Sequence, residues 1–123
     1  MWDDVLKPML GKPYVLNGRS RDGVDCLGLI VYAYQAMGFN VDAIDKHYPQ
    51  NVAFRQFLSD FRAATEPGSC TPGAIVLLRD VNRTPVHLGI QGEEFAYHSV
   101  RGGCVQVLDT VENRRWYRLR CLS

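Results

Sequence analysis

Three residues of this chain could together carry a covalent reaction: Cys26, His87 and His98. Cys26 lies in the run Gly11 to Gly38, GKPYVLNGRSRDGVDCLGLIVYAYQAMG, where a glycine-punctuated loop leads into apolar residues at helical spacing. Asp25 is a good N-cap residue and Gly38 a good C′ residue, so Cys26 falls at the first helical position. A thiol there meets unpaired N–H groups and the positive end of the helix dipole, which favour thiolate and lower its pKa from a reference of about 8.5. Deprotonated, it is a nucleophile. The alternative reading is a small buried hydrophobe.

The two histidines fall in adjacent strand-like runs, PVHLGIQ and FAYHSV. A two-residue loop at Gly92-Glu93, with glycine first as a type II′ turn prefers, pairs Gln91 with Glu94 and sets His87 directly opposite His98, with Cβ atoms about 4.5 to 5.5 Å apart. Moving that loop by one residue at constant length keeps both rings on one face, whereas a regular three-residue loop separates them. A histidine pair facing a cysteine at a helix start matches the nucleophile, base and orienter of cysteine hydrolases, with His87 taking the thiol proton and His98 fixing the ring of His87. Cysteine and two histidines are also zinc ligands, although no fourth ligand or activating carboxylate has an obvious place. A structural histidine pair is the third reading. The residues alone leave these open.

The elements that must hold these groups follow from periodicity and turn residues. Trp2 to Leu10 reads as a short helix that Pro8 kinks or stops. The Cys26 helix carries Leu27, Leu29, Ile30, Ala33, Tyr34 and Met37 at spacings of three and four. Phe39 to Gln50 is a connection, in which His47 is a surface residue. Phe54, Phe57, Leu58 and Phe61 then mark a second amphipathic helix over Asn51 to Phe61, capped by Asn51. After the turn residues Pro67, Gly68, Pro72 and Gly73 come strand-like runs at Ala74 to Leu78, Val86 to Gln91, Phe95 to Val100, Cys104 to Thr110 and Trp116 to Cys121. Their short links predict an antiparallel meander. The fold class is therefore α+β, with N-terminal helices packed on a C-terminal antiparallel sheet.

At 123 residues the chain is a single domain, 1–123, able to form its own core. A net charge of +1, from 14 basic and 13 acidic residues, offers no broad attraction to nucleic acid or anionic lipid. Arg114, Arg115, Arg118 and Arg120 read as a solvated strand edge. Asp3 and Asp4 stand where a secretory signal would be positive, and no apolar run reaches the roughly 20 residues of a membrane span. These features predict synthesis in the cytoplasm without a signal peptide and no membrane insertion. Cys26, Cys70, Cys104 and Cys121 show no CxxC spacing, so no zinc knuckle or thioredoxin motif is present. No phosphate-binding glycine pattern occurs either, and no cofactor is expected.

The Gly11 to Gly38 segment, followed by PGAIVLL, PVHLGI and FAYHS, resembles the NlpC family of papain-like cysteine peptidases, which cleave peptidoglycan stem peptides. The similarity runs from about Gly11 to Val107, with three motifs in the family's order, and is greatest to the compact versions found with phage and prophage tail genes. It implies a papain-like fold with Cys26 as nucleophile, His87 as general base and His98 as the third, polar member. It places Tyr14 beside the thiolate, helping to hold substrate or oxyanion, and matches Asp25 to an acidic residue that can meet the amino end of a stem peptide. The implied activity is a cysteine-type peptidoglycan endopeptidase cutting the γ-D-glutamyl to diaminopimelate bond, without a metal, as a tail-tip hydrolase acting on the wall in the periplasm beside other tail-tip proteins. A tail-tip structural or assembly subunit with idle catalysis and a cysteine acyltransferase on the same scaffold are the alternatives. Leu27 replaces the family's usual serine, which predicts a less polar substrate cleft. Asn17-Gly18 stands where Gly-Gly is common, and Ala74 where Asp is. The fused wall-binding or partner domains of many relatives do not occur within these residues.

Overall fold

Helix periodicity and capping set the first half of the molecule. The computed structural model describes residues 1–49, 54–80, 82, 85–108 and 114–120. Helix α1 spans Trp2–Leu6 and gives way to a 3₁₀ turn over Lys7–Met9, because Pro8 cannot donate to an α-helical ladder. A two-stranded ribbon, β1 (Arg19–Ser20) and β2 (Gly23–Val24), forms inside the loop before the second helix. Helix α2 spans Cys26–Ala36 from the N-cap Asp25, and Gly38 follows it with φ of 90°, the left-handed conformation expected of a C′ glycine. Helix α3 spans Phe54–Ala64, ending later than its apolar spacing predicts; the expected cap Asn51 lies outside the described residues.

The second half is one six-stranded antiparallel sheet of β3 (Thr65–Pro67), β4 (Ile75–Arg79), β5 (Pro85–Gln91), β6 (Ala96–Ser99), β7 (Val105–Leu108) and β8 (Arg114–Leu119). Its spatial order is β3-β8-β4-β5-β6-β7. Four strands form the expected meander, but β8 returns across the sheet to lie between β3 and β4. Its arginines are therefore on an interior strand and not on a sheet edge, although Arg115, Arg118 and Arg120 are exposed. The strand β3 arises where composition indicated only turns, because pairing with β8 supplies the hydrogen bonds that local sequence does not announce. The ends of two expected strands, at Asp109-Thr110 and Cys121, lie outside the described residues.

The main core lies between α2, α1 and α3 and one face of the sheet, with Leu29, Ile30, Ala33, Ile75, Leu77, Leu88, Ile90 and Tyr97 buried together. Trp2 stacks on Phe39 at 6.0 Å and meets Tyr34 at 4.9 Å, while Phe61 of α3 meets Tyr117 of β8 at 5.4 Å. The other face carries a smaller cluster of Val76, Ala96 and Leu108 with Leu78 and Trp116 against it. No helix among the described residues is long and apolar enough to cross a membrane. Cys26, Cys70 and Cys104 are free thiols.

The first turn of α2 passes so close to the preceding loop that only glycine fits at position 28. A Cβ there would lie 1.9 Å from the Gly18 carbonyl oxygen and 3.0 Å from both the Arg19 guanidinium and the Asp25 carboxylate. Elsewhere in a helix, alanine gains roughly 0.5 to 1 kcal/mol over glycine. Here the sign reverses: Gly28→Ala should lose about 1 to 3 kcal/mol or more from overpacking against backbone. Urea denaturation measures this, and a Gly28→Ala protein as stable as the parent would disprove the close approach.

Candidate active site

Asp25 organises the nucleophile's surroundings. Its carboxylate is buried and accepts the Gly28 N–H at 2.7 Å, which is the N-cap bond, and the Asn17 N–H at 2.8 Å. The Arg19 guanidinium closes on it at 3.1 Å, and also bonds Asp45 at 2.8 Å and the Lys46 carbonyl at 2.8 Å. Both carboxylate oxygens thus have donors from the chain itself. Asn17 adopts φ of 58°, a conformation asparagine tolerates better than other non-glycine residues, and its side-chain amide exchanges two hydrogen bonds with the Tyr48 backbone. That explains how asparagine serves where a glycine was expected.

Cys26 sits at the first position of α2, as its spacing from Asp25 predicts. The backbone N–H groups of Cys26 and Leu27 at the helix start and of Leu88 on β5 are near enough to its sulfur to favour the thiolate. The expectation of a lowered pKa does not hold. Burial, and then the Asp25 carboxylate beside it, push the thiol up to about 11, outweighing the three N–H groups that favour thiolate. The residue that caps the helix is itself an anion, and its charge opposes the helix dipole at the thiol.

His87 and His98 are brought together, with His87 Nε2 and His98 Nδ1 3.0 Å apart and the rings tilted at 66°. The register differs from the one the turn chemistry predicts. Strands β5 and β6 pair Ile90 with Tyr97 and Gln91 with Ala96, and the Gly92 N–H bonds the Phe95 carbonyl at 2.7 Å. The two-residue loop is therefore Glu93-Glu94, one position later than expected, and His98 falls across from Gly89 and diagonal to His87. Both rings remain on one face, and the diagonal spacing lets two imidazoles meet end to end. A side chain at position 89 would strike the Tyr97 carbonyl at 2.7 Å, so glycine keeps this crossing open.

The loop moves because Asp3 captures it. The Asp3 carboxylate accepts the Glu93 N–H at 3.1 Å and the Glu94 N–H at 3.0 Å, while the Glu93 carboxylate accepts the Trp2 and Asp3 N–H groups at 3.0 and 2.7 Å. This clasp of helix start and turn joins residues some 90 positions apart, and no local signal reveals it.

Burial, and then the neighbouring His98 charge, hold the His87 imidazole down at about 4, so it is neutral across the ordinary pH range. Because Nε2 is engaged by His98, the ring's Nδ1 faces away from it. Tyr14 is half-buried, and its hydroxyl is raised first by burial and then by Cys26 and Asp25, with Arg101 opposing; it lies within electrostatic reach of the thiol. Leu27 is 4% exposed and borders a small pocket with Ile44, Tyr48 and Phe57, so an apolar side chain stands there in place of the serine hydroxyl. His47 is exposed, as expected. Among the described residues no group of three or more histidine, cysteine, aspartate or glutamate side chains could hold a metal ion. Ser99, which sequence reasoning passed over, is wholly buried and donates to the Val24 carbonyl at 2.7 Å, joining β6 to the residue before the cap.

The arrangement has counterparts of known fold. A domain of the peptidoglycan hydrolase SagA, an NlpC/p60 domain, superposes with a TM-score of 0.59 at 21% identity, over 94% of this chain and 93% of that one. NlpC1 from Trichomonas vaginalis gives 0.58 at 19% identity over 98% of this chain, and an NLP/P60 family protein described as similar to lipoprotein, from Staphylococcus aureus, gives 0.55 at 23% identity over 93%. This chain spans 41% and 39% of the lengths of the latter two. These likenesses establish the fold. A comparison with curated proteins finds no match. The family model for NlpC/P60 matches residues 11–120, a span that takes in the cap, the thiol and both histidines. The chain belongs to the NlpC/P60 family.

Proposed function

We propose that this protein is a cysteine peptidase that hydrolyses peptidoglycan stem peptides, at the γ-D-glutamyl to diaminopimelate bond. The observation that carries the reading is the placement of the Cys26 sulfur against the Leu88 N–H, one residue from His87, whose Nε2 is engaged by His98 and whose Nδ1 faces away from it. The SagA domain, which covers nearly the same length, comes from a peptidoglycan hydrolase.

In this mechanism His87 must carry its proton on Nε2, donating to His98 Nδ1, so that Nδ1 can accept from the thiol. With the thiol near 11 and the imidazole near 4, the free Cys26 and His87 pair is uncharged. Proton transfer therefore accompanies attack: the sulfur bonds to the carbonyl carbon as its proton passes to His87, and the carbonyl oxygen becomes an oxyanion. Backbone N–H groups at the start of α2, released from the sulfur, and the Tyr14 hydroxyl stabilise that charge. The His87 imidazolium then protonates the leaving amine as the C–N bond breaks, and water activated by His87 hydrolyses the thioester. Asp25 serves mainly through the cap, with its oxygens already occupied, and only a shift of Arg19 would let it meet a substrate amine.

The compact motif set supports delivery as part of a phage or prophage tail tip, among other tail-tip proteins and without nucleic-acid or membrane binding, to act on the wall in the periplasm. One observation favours a second reading, a tail-tip subunit with idle catalysis: burial opposes the thiolate in the free site. Incubation with defined muropeptides, followed by mass spectrometry, decides. Cleavage at the γ-D-glutamyl bond that disappears in Cys26→Ala is the expected result. Intact substrate selects the idle subunit, and transfer to an added amine selects an acyltransferase.

The histidines give a graded test. His87→Ala should lower kcat by roughly 10² to 10⁴-fold. His98→Ala should cost less, and His98→Gln less still, because the amide oxygen can accept from His87. The double alanine variant should be little worse than His87→Ala alone, since groups that act as a unit are not additive. A full sum of the two losses would separate His98 from His87.

The pH profile follows from the neutral pair. Protonated His87 cannot take the thiol proton, and its folded pKa is held at about 4, below the reference of about 6.5. Activity should therefore persist below pH 6 and fall through pH 4 on the acid side. In the free enzyme, iodoacetamide should alkylate Cys26 slowly near neutrality, with a rate still rising with pH toward the thiol's value of about 11. An acid limb near 6.5, or an alkylation plateau at pH 7, would contradict the buried neutral pair.

A further inference from the structure

Past Ile90 and Tyr97, where the last cross-strand pairs of β5 and β6 form, the same register brings Leu88 opposite Ser99. Each of these residues turns to the junction of β2 and α2. The Leu88 N–H meets the Cys26 sulfur, and the Ser99 hydroxyl meets the Val24 carbonyl at 2.7 Å. The segment 24–26 is thus held in a fork between the two histidine strands, with His87 immediately before one prong and His98 immediately before the other. Ser99 is 0% exposed, and a buried hydroxyl is retained only with a partner of this kind. The Val24 carbonyl also accepts the Val15 N–H, at a longer 3.3 Å.

We propose that Ser99 is a positioning residue for the candidate nucleophile: its hydrogen bond to Val24 keeps the helix start seated between β5 and β6, and so keeps the Cys26 sulfur at the backbone of His87. Ser99 touches neither substrate nor the reacting atoms in this role. It acts through two covalently adjacent residues, Asp25 and Cys26. Removing its hydroxyl frees the junction on the β6 side, leaving the sulfur less enclosed and less well placed against the imidazole. Two opposite changes follow from one substitution. Cys26 becomes easier to alkylate, and hydrolysis becomes slower. A residue that contributes only to stability would move neither property in the folded protein.

The proposal rests on the cysteine peptidase reading for the second change only. The test uses Ser99→Ala in the full chain, at a temperature where circular dichroism shows it folded. Cys26 alkylation by iodoacetamide at pH 8 is followed by mass spectrometry of the Cys26 peptide, so that the other thiols do not contribute. The Leu88 amide resonance is compared with the parent, and kcat and KM are measured on muropeptides. Loss of one hydrogen bond should speed alkylation and lower kcat, each by about three to tenfold, with KM little changed. The Leu88 amide should shift as it loses its sulfur partner. If Ser99→Ala does not fold, Ser99→Cys, close in size but a weaker donor, is read by the same measurements. An unchanged alkylation rate and Leu88 amide in a folded variant overturn the proposal, as does faster alkylation with unchanged kcat. If the parent cleaves no muropeptide, the peptidase reading fails by itself, and alkylation and the Leu88 amide still decide whether Ser99 seats the thiol.

Discussion

The Asp25 carboxylate is the constraint on which the site depends. One buried group caps α2 through Gly28, ties down the loop through Asn17 and draws in Arg19, which in turn holds Asp45 and Lys46. A buried charge is tolerable only when donors surround it, and the helix start and the preceding loop supply three here. The arrangement draws the loop so near the helix that position 28 must be glycine. It also fixes Cys26 at the helix start, since the cap and the first helical residue are neighbours in sequence.

The same carboxylate works against the thiolate. Burial of the thiol, and then the negative cap beside it, together raise its pKa by a larger amount than three backbone N–H groups lower it. Burial acts on His87 in the opposite sense, against its cationic form. Both effects disfavour charge separation, so they leave a neutral pair. Chemistry from such a pair requires that the developing oxyanion and the proton acceptor be available together, which places the demand on geometry more than on a preformed ion pair.

That geometry is maintained from a distance. The clasp between Asp3 and the Glu93-Glu94 turn sets where the hairpin reverses, and the reversal sets the diagonal crossing of the two imidazoles. The Tyr97 hydroxyl also donates to Asp3, at 3.3 Å, anchoring the same end of the hairpin to the core. At the other end β5 and β6 part around the start of α2. The hairpin is therefore closed at its turn by the N-terminal helix and opened at its mouth by the catalytic-candidate helix.

What the sequence determined by itself was everything carried by short-range rules. The spacing of Asp25, Cys26 and Gly38 marked α2 with its cap and its C′ residue, because capping is decided within four residues of a helix end. The parity of a two-residue loop placed His87 and His98 on one face even though the loop was located one residue early, because strand alternation has a period of two and tolerates that shift. The tertiary structure alone decided the rest. Arg19, Asp3 and Ser99 acquire their roles from partners 6 to 94 residues away, and the return of β8 to β4 and β3 is a choice among sheet edges that strand-like runs do not encode. The protonation state of Cys26 divides in the same way: the helix dipole is a property of local sequence, but burial is a property of everything packed around the thiol, and burial is the larger effect.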